Sequence, residues 1–532
     1  MNWDVASNLL LVSYIAVFTM VCIYGLHRYQ LVYLYYKHRR NRPQIQRRFE
    51  PLPRVTVQLP MYNERYVARR VIELACEMDY PRDLLQIQVL DDSTDDTVEI
   101  ARAAVERMSR AGHDIVYIHR DNRRGYKAGA LQEGLETASG EFVCIFDADF
   151  LPPPKILRQT IHYFTDPRVG MVQARWEHIN RDYSLLTKTQ AVLLDGHFVM
   201  EHGARNRSGR FMSFNGTAGM WRISSIEDAG GWQHDTLTED LDLSYRAQLK
   251  GWEFVFLPDL CSPAELPPEM EAFKAQQYRW AKGGAQTCRK LLPRILRARV
   301  PFKIKWEAFF HLTSCTVYLY MVLLMLLLLP IFYLKFRNGV HGELSLVGAL
   351  IDFSLFLVAT CSASSFYYCS QRELLRTWSD SLKYLPFLMA LGVGIALNNS
   401  RAMLSGFFGR DSEFVRTPKF GVSRATETGW KRRRAYQKKK QRKIPWQACI
   451  EVCMGFYLLT CAVLCMETNW VTIGLPFLVL FCVGYFYVGL SSLLAGWLRA
   501  RAGAGEEADR LPAPATEASA PDDPRGLRGS GR

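Results

Sequence analysis

The sequence predicts an α/β domain with a mostly parallel sheet, inserted between transmembrane α-helices. Three observations predict it. Residues 9–36 form a nearly unbroken apolar run, and comparable runs return only after residue 308. Between them, strand-like and helix-like patterns alternate, as β-α-β units do when helices cover both faces of a parallel sheet. The formal net charge of +14 over 532 residues lies in two blocks beside apolar runs, not on the intervening domain.

The first apolar run exceeds the roughly 20 residues that span a bilayer. It has no basic leader and no small-residue cleavage site, so it reads as an anchor (1–36) and not as a removed signal. Lys37, Arg39, Arg40, Arg42, Arg47 and Arg48 follow in a basic linker (37–52) that carries a net +5. Cytoplasmic loops are enriched in Lys and Arg, which places the N-terminus outside and the domain at 53–300 in the cytoplasm. Further spans are expected at 309–336, 344–366, 446–466 and 470–494. The stretch 382–404 is interrupted by Pro386, Gly392, Gly394, Asn398, Asn399 and Arg401. Were it a span, the run 431–443, with nine basic residues and no acid, would lie outside. It is therefore read as interfacial or re-entrant, giving five spans. Residues 301–410 hold two spans and this segment, 411–445 a loop with the basic run, and 446–498 the last two spans. The tail 499–532, rich in Ala, Pro, Gly and charge, is expected to be disordered.

Within the domain, residues 54–60, 85–90, 115–119 and 142–146 read as strands, and 64–78, 95–108 and 127–138 as helices. Ligands of such sheets bind beyond the carboxyl ends of the strands. Two acidic groups fall there, Asp91–Asp92 after the second strand and Asp147 and Asp149 after the fourth. One Asp pair at a strand end is often a turn or helix cap. Two pairs at the ends of one sheet suit a hard divalent cation carrying a diphosphate. No Gly-rich dinucleotide fingerprint or Walker loop follows either strand, which disfavours a dehydrogenase or kinase. Further on, Thr238, Glu239 and Asp240 open a helical stretch, and Gln276, Arg279 and Trp280 share another. On spacing alone, acids against a helix dipole and an ordinary amphipathic helix explain these equally well. The thirteen cysteines include no CxxC pair and read as small hydrophobes.

In this order the motifs resemble the membrane-embedded family 2 glycosyltransferases of the cellulose synthase superfamily, whose pattern is D, DxD, TED and QxxRW. Here it reads Asp92, Asp147/Asp149, Thr238 to Asp240, and Gln276/Arg279/Trp280. The segments at 57–64, 88–94, 121–131, 172–176, 214–222 and 229–232 look especially like the cellulose-synthase-like mannan and glucomannan synthases. The resemblance implies a nucleotide-sugar transferase domain of GT-A type. It implies that Pro60, Tyr62, Glu64 and Asp92 border the nucleotide, that Lys127 approaches the diphosphate and Asp147 the nucleotide sugar, and that Asp147 and Asp149 hold Mg²⁺ or Mn²⁺. Asp240 would be the general base within the catalytic Thr238, Glu239 and Asp240. Gln276, Arg279 and Trp280 would bind the diphosphate and the acceptor end, and Phe214, Asn215 and Gly216 would line the acceptor site. Residues 413–420 resemble a gating loop, with Arg416, Thr417 and Lys419 able to close on a diphosphate.

The implied function is inverting, metal-dependent hexosyl transfer to a growing β-glycan at the cytoplasmic face of the cell (inner) membrane or an endomembrane. The product would be β-1,4-mannan, glucomannan or glucan with coupled export. Tyr318, Tyr320, Phe366, Tyr367, Tyr368, Trp378, Tyr485 and Tyr487 are candidates for lining a sugar channel. The alternative is a glycolipid synthase with a lipid acceptor. GDP-mannose and UDP-glucose are both compatible donors, and a homo-oligomer or an accessory subunit stays open. A nucleic-acid partner is not expected, because no recognition motif accompanies the basic run, which suits anionic lipid.

Overall fold

A computed structural model describes residues 3–337, 343–375, 379–409, 419, 421, 446–467 and 471–508. Seven strands form one sheet in the order β3-β2-β1-β4-β6-β5-β7. They are β1 (Val55–Met61), β2 (Leu85–Asp91), β3 (Asp114–His119), β4 (Phe142–Ile145), β5 (Val169–His178), β6 (Gly219–Arg222) and β7 (Glu253–Ala264). β1 to β4 pair in parallel, with the helices Ala68–Cys76, Thr97–Arg110 and Tyr126–Glu136 as crossovers. The α/β alternation read from the sequence is therefore present. β6 runs antiparallel between β4 and β5, so the sheet is mixed.

The alternating sequence of β1 sorts its side chains between the two faces. Val55, Val57 and Leu59 enter one apolar core beneath the helices Ala68–Cys76 and Thr97–Arg110. Thr56 and Gln58 face the other side, fully buried, and bond across to Gln86 and Gln88 of β2 at 2.9 and 3.0 Å. Those bonds offset part of the desolvation penalty that a buried polar group carries. Register aligns Met61 with Asp91 and Asp91 with His119, so the carboxyl ends of three strands lie level.

The helix expected at 64–78 begins at Ala68 instead. The preceding residues form a loop in which Asn63 takes a left-handed φ of 55°. Its amide donates to Ser93 Oγ at 2.7 Å, and its side chain accepts from Thr94 N–H at 2.8 Å. Those bonds hold Tyr62 and Glu64 at the strand ends.

Among the described residues, Val5–Lys37, Thr316–Leu334, Trp446–Met466 and Leu475–Leu498 are long and apolar enough to cross a membrane. Glu343–Leu374 is a 32-residue helix that packs on the anchor through Phe356 and Phe18, 4.8 Å apart. The run expected at 309–336 divides into helices Phe302–Thr313 and Thr316–Arg337. The first of these helices packs through Ala308 and Leu312 on Tyr245, Leu291 and Ile295 of the domain. The interrupted stretch forms Leu385–Gly394 and Ala396–Phe407, bent by 46°, a broken span or a re-entrant loop. The last helix, Val471–Ala508, runs into the tail expected to be disordered. Alanine, arginine and glutamate after Leu498 are good helix formers and continue a helix already nucleated by the span. Residues 509–532 and the basic run 431–443 lie outside the described residues.

The domain is seated on the apolar helices through residues 185–204. Val192, Val199, Met200 and Ala204 pack with Leu31, Leu34 and Tyr35 of the anchor and with Phe366, Tyr367 and Leu388. Asp195, 1% exposed, binds Arg181 Nη1 at 2.8 Å and accepts from Gln371 Nε2 at 2.9 Å, tying this seat to the Glu343–Leu374 helix. Burial alone raises the Asp195 pKa, but His178, Arg181 and Gln371 outweigh it and hold it at about 2. An Asp held below its unfolded value of about 3.9 stabilises the fold above that pH, and the contribution fades as pH falls through 2. Asp195→Ala should therefore lower stability by about 3 kcal/mol at pH 7. Thermal unfolding in detergent, with fluorescence detection, should show the gap to wild type narrowing between pH 4 and 2.

Candidate active site

The strand ends open into a cleft. Pro60, Tyr62, Glu64, Asp92, Lys127, Asp147, Asp149, Asn215, Gly216, Thr238, Glu239, Asp240, Gln276, Arg279, Trp280 and Lys419 all border it. These residues come from segments spread over more than 350 positions of sequence.

The two acidic groups differ in use. Asp91 is fully buried; it accepts from Tyr117 Oη at 2.7 Å and from Ser93 N–H at 2.9 Å, and so braces the loop. Asp92 faces the cleft and is held by Arg120 in a two-point pair of 2.7 and 2.6 Å. Such a paired geometry fixes a carboxylate in orientation as well as charge. After β4, Asp147 contacts Lys127 Nζ at 2.5 Å, and Lys127 also donates to Gly216 O at 2.9 Å. Burial depresses the Lys127 pKa, but Asp147, Glu239 and Asp240 overcome it and the net direction is upward. Asp149, 5% exposed, accepts from Lys419 Nζ at 2.7 Å, and Lys419 also donates to Glu265 O at 2.6 Å. Of the three loop residues singled out in the sequence, Lys419 is thus at the cleft; Arg416 and Thr417 lie outside the described residues.

Thr238 precedes the helix Glu239–Leu249. Burial and the neighbouring Glu239 push the Asp240 pKa up to about 7, against the Leu241 N–H, Lys127 and Arg279. Asp242, two residues on, is fully buried between Arg246 Nε at 2.7 Å and Lys290 Nζ at 2.9 Å, and is structural. Gly216 has φ +79°, and a Cβ there would stand 3.0 Å from Asp240 Oδ2.

Gln276, Arg279 and Trp280 lie on the 28-residue helix Met270–Arg297. The same helix holds the TED segment. Gln286 Oε1 accepts from Leu237 N–H at 2.9 Å, and Thr287 Oγ1 meets Thr238 Oγ1 at 3.2 Å. Gly283 lets the two approach, since a Cβ there would fall 2.5 Å from Thr238 Cγ2 and 2.8 Å from its backbone nitrogen.

Phe214 is 1% exposed and packs edge-on against Trp221 at 5.6 Å; it does not border the cleft itself but lines the second cavity that opens from it. Asn215 does face the cleft, its side chain donating to His197 Nε2 at 2.9 Å and accepting from His202 Nε2 at 2.5 Å. Sequence reasoning gave no role to Arg123, Trp176, His178 or Glu265, which also line the cleft. Arg123 lies over the Tyr62 ring at 3.4 Å with a left-handed φ of 45°. The quoted segments at 121–131 and 172–176 contain Arg123 and Trp176, but no spacing rule distinguishes them there.

A second, larger cavity opens from the cleft. The two share Trp176, Leu194, Asn215, Thr238, Asp240 and Trp280. From there the cavity runs between the apolar helices, past Tyr24, Arg28, Tyr318, Phe356, Phe366 and Tyr367. Of the aromatics proposed for a channel, Tyr318, Phe366 and Tyr367 line it. Tyr320, Tyr368, Tyr485 and Tyr487 do not, and Trp378 lies outside the described residues. Tyr485 is fully buried in a core between helices, and Tyr487 packs on Phe387.

Residues 53–283 match the family model described as glycosyltransferase like family 2. A glucomannan 4-beta-mannosyltransferase 7 of Arabidopsis thaliana is 34% identical over 454 residues, covering 82% of this chain and 77% of the relative. This chain belongs to the family 2 glycosyltransferases. Glucomannan 4-beta-mannosyltransferase 1 of Oryza sativa subsp. japonica is 44% identical over 275 residues, 48% of this transferase. The match spans about half the length of that relative, 53%. The relatives place the transferase in the cellulose-synthase-like mannan and glucomannan branch. Among solved structures, a mannosyltransferase of Pyrobaculum calidifontis, in complex with GDP-Man and Mn²⁺, aligns with a TM-score of 0.50 at 21% identity. It covers 75% of this chain and all of its own, which supports the GT-A-like fold of the domain.

The Gly283–Thr238 contact leaves no room for a methyl group. Gly283→Ala should shift the TED segment by a few tenths of an ångström and lower the transfer rate at least about tenfold, because reacting groups misplaced by an ångström lose far more. Initial rates on purified, monodisperse protein check this.

Proposed function

We propose that this protein transfers mannosyl residues from GDP-mannose, with inversion, onto the end of a β-1,4-mannan or glucomannan. Transfer takes place at the cytoplasmic membrane face, and the product passes into the second cavity. One observation carries the reading: cleft and cavity meet at Asp240 and Trp280, so a donor at the strand ends and a chain held in the cavity share one reacting point. The names of the relatives favour mannose as the sugar. A glycolipid synthase would present a lipid hydroxyl at the same point, but it needs no long cavity lined by Tyr318, Phe366 and Tyr367.

The acceptor hydroxyl attacks the anomeric carbon as the bond from that carbon to the diphosphate oxygen breaks. Attack from the opposite side turns an α-linked donor into a β-linked product. The proton passes from the hydroxyl to an Asp240 carboxylate oxygen. A base whose pKa lies near the working pH is well matched to that transfer. Lys127 and Arg279 provide positive charge at the cleft where the leaving diphosphate develops. Trp280 offers a flat apolar face to a pyranose ring at the cleft–cavity junction. Pro60, Tyr62, Glu64 and Asp92 stand where the nucleoside would lie, and Asn215 and Gly216 border the acceptor.

The donor set also fits a divalent cation. Asp149 already holds a cationic group, the Lys419 ammonium, and Asp147 and Asp149 offer hard oxygens. Among the described residues no three or more such ligands converge, so donor phosphates and water would complete the shell. When bound, Mn²⁺ or Mg²⁺ supplies Lewis-acid neutralisation of the diphosphate.

Labelled GDP-mannose and UDP-glucose offered to purified membranes provide the deciding experiment. A linear β-1,4-linked mannan from GDP-mannose is the expected product; a single-sugar lipid would sink the polymer reading. The rate should rise with pH through about 7 and level off above it, because Asp240 acts unprotonated. Asp240→Asn should lower transfer by at least about a thousandfold while GDP affinity changes less than about twofold. A carboxyl whose pKa is raised by folding stabilises the fold below about pH 4, and that contribution is lost as pH rises through 7. Asp240→Asn should therefore unfold at a higher temperature than wild type above pH 7 and not below pH 4.

A further inference from the structure

A buried charged network lies behind the QxxRW helix, outside both cavities. Lys274, on the Met270–Arg297 helix, is 6% exposed in its side chain; Glu451, on the apolar helix Trp446–Glu467, is 0% exposed. Their Nζ and Oε2 atoms are 2.8 Å apart, and Lys274 Nζ also donates to Ser492 Oγ of the last helix at 3.3 Å. The second Glu451 oxygen accepts from Gln447 Nε2 at 3.0 Å. Gln447 Nε2 also donates to Asn398 Oδ1 at 3.2 Å, and Asn398 Nδ2 donates to the Lys274 carbonyl at 3.0 Å. Arg401 donates to Gln447 Oε1 at 3.1 Å and lies over the Trp446 ring at 5.1 Å.

Four helices are thus joined at one lysine: the QxxRW helix, the second half of the bent pair, and both C-terminal apolar helices. An ionisable group inside an apolar helix is expensive to keep and is ordinarily kept for a task. Burial of a paired charge adds little net stability, since desolvation offsets the attraction. What the pair does provide is direction, because an ion pair with satisfied hydrogen bonds has one geometry where an apolar contact has many. At 100° per residue, Gln276, Arg279 and Trp280 lie 120° or more around the helix from Lys274. Fixing Lys274 from behind therefore sets how far those three side chains project into the junction of cleft and cavity.

We infer that the Lys274–Glu451 pair is a positioning device through which the C-terminal helix pair sets the acceptor-binding face of the QxxRW helix. The inference rests on the reading that this face holds the acceptor end of the glycan. Neither residue lines the cleft or the second cavity. Their loss should therefore appear in acceptor use and leave nucleotide binding alone.

The test uses the full chain purified into lipid nanodiscs, with a manno-oligosaccharide acceptor and GDP-mannose. Glu451→Leu should raise the acceptor KM at least about fivefold and shorten the products, with the GDP dissociation constant within about twofold of wild type. Glu451→Gln keeps the volume and an acceptor for Lys274, so it should fold even if the leucine variant fails to. It should raise KM by about two- to threefold. Exchanging the charges, Lys274→Glu with Glu451→Lys, should bring KM and product length back toward wild type, which a merely packing role would not do. A wild-type KM and product length in monodisperse Glu451→Leu, or in Glu451→Gln if the former does not fold, overturns the inference. Trp280→Ala separates the two levels. If it too leaves acceptor KM unchanged, the acceptor reading itself fails and the inference with it. If it raises KM while the Glu451 variants do not, only the role of the pair is wrong.

Discussion

The Met270–Arg297 helix is the constraint on which the rest of the site depends. It passes through a place where three things must meet: the carboxyl ends of the sheet, the TED segment and the apolar helices. No ordinary amphipathic helix could serve all three, because each side makes a different demand. Polar and aromatic residues face the cleft, Gly283 admits the backbone at Thr238, and Lys274 faces Glu451. A further close approach occurs at Gly406 of the bent pair, where a Cβ would stand 2.6 Å from the Lys282 carbonyl. Glycine at both crossings is a steric requirement and not a matter of flexibility, since neither has a left-handed φ.

Charge in the cleft follows from that convergence. Glu239 and Asp240 sit within the influence of Lys127, and Lys127 is held by Asp147. Burial first, and the neighbouring Glu239 carboxylate second, push Asp240 toward neutrality. Lys127 and Arg279 pull in the other direction and stop it short of being a permanent acid. Asp92 is treated differently. Arg120 binds it at both oxygens, which suits a residue whose part is to orient.

The sequence made the strands β1 to β4 legible because each is a short β-branched run followed by turn residues and a helical period. The sheet beyond β4 was not legible. β6 is four residues long, and its antiparallel insertion depends on pairing to both β4 and β5. Long-range pairing of that kind leaves no local period. The site residues Asp92, Lys127, Asp147, Asp240 and Trp280 could be named because family motifs mark them. Phe214 lines the cavity and not the cleft, a distinction no motif can make, because a motif gives proximity along the chain and not the direction of a side chain. His197 and His202, which hold Asn215, lie on a π-helical segment, Gly196–His202, which has no signature in composition. The Lys274–Glu451 pair joins residues 177 positions apart, and neither partner is conspicuous alone.

The separation between the two charge systems in this molecule has a physical basis. The net +14 resides in two basic blocks of the sequence, flanking apolar runs, where screening by salt and lipid headgroups governs the effect. Such charge can orient the chain and hold it at an anionic surface, but it cannot set a side chain to within an ångström. The buried pairs do the reverse. Asp195 with Arg181 and Lys274 with Glu451 contribute nothing to net charge. Lys274 with Glu451 spans from the domain to an apolar helix, and Asp195 with Arg181, both in the domain, together hold Gln371 of another, because a buried ion pair tolerates little displacement before its partner is left unpaired. A domain that must keep its reacting point in line with a cavity between helices needs that second kind of charge, and both pairs lie where the domain meets those helices.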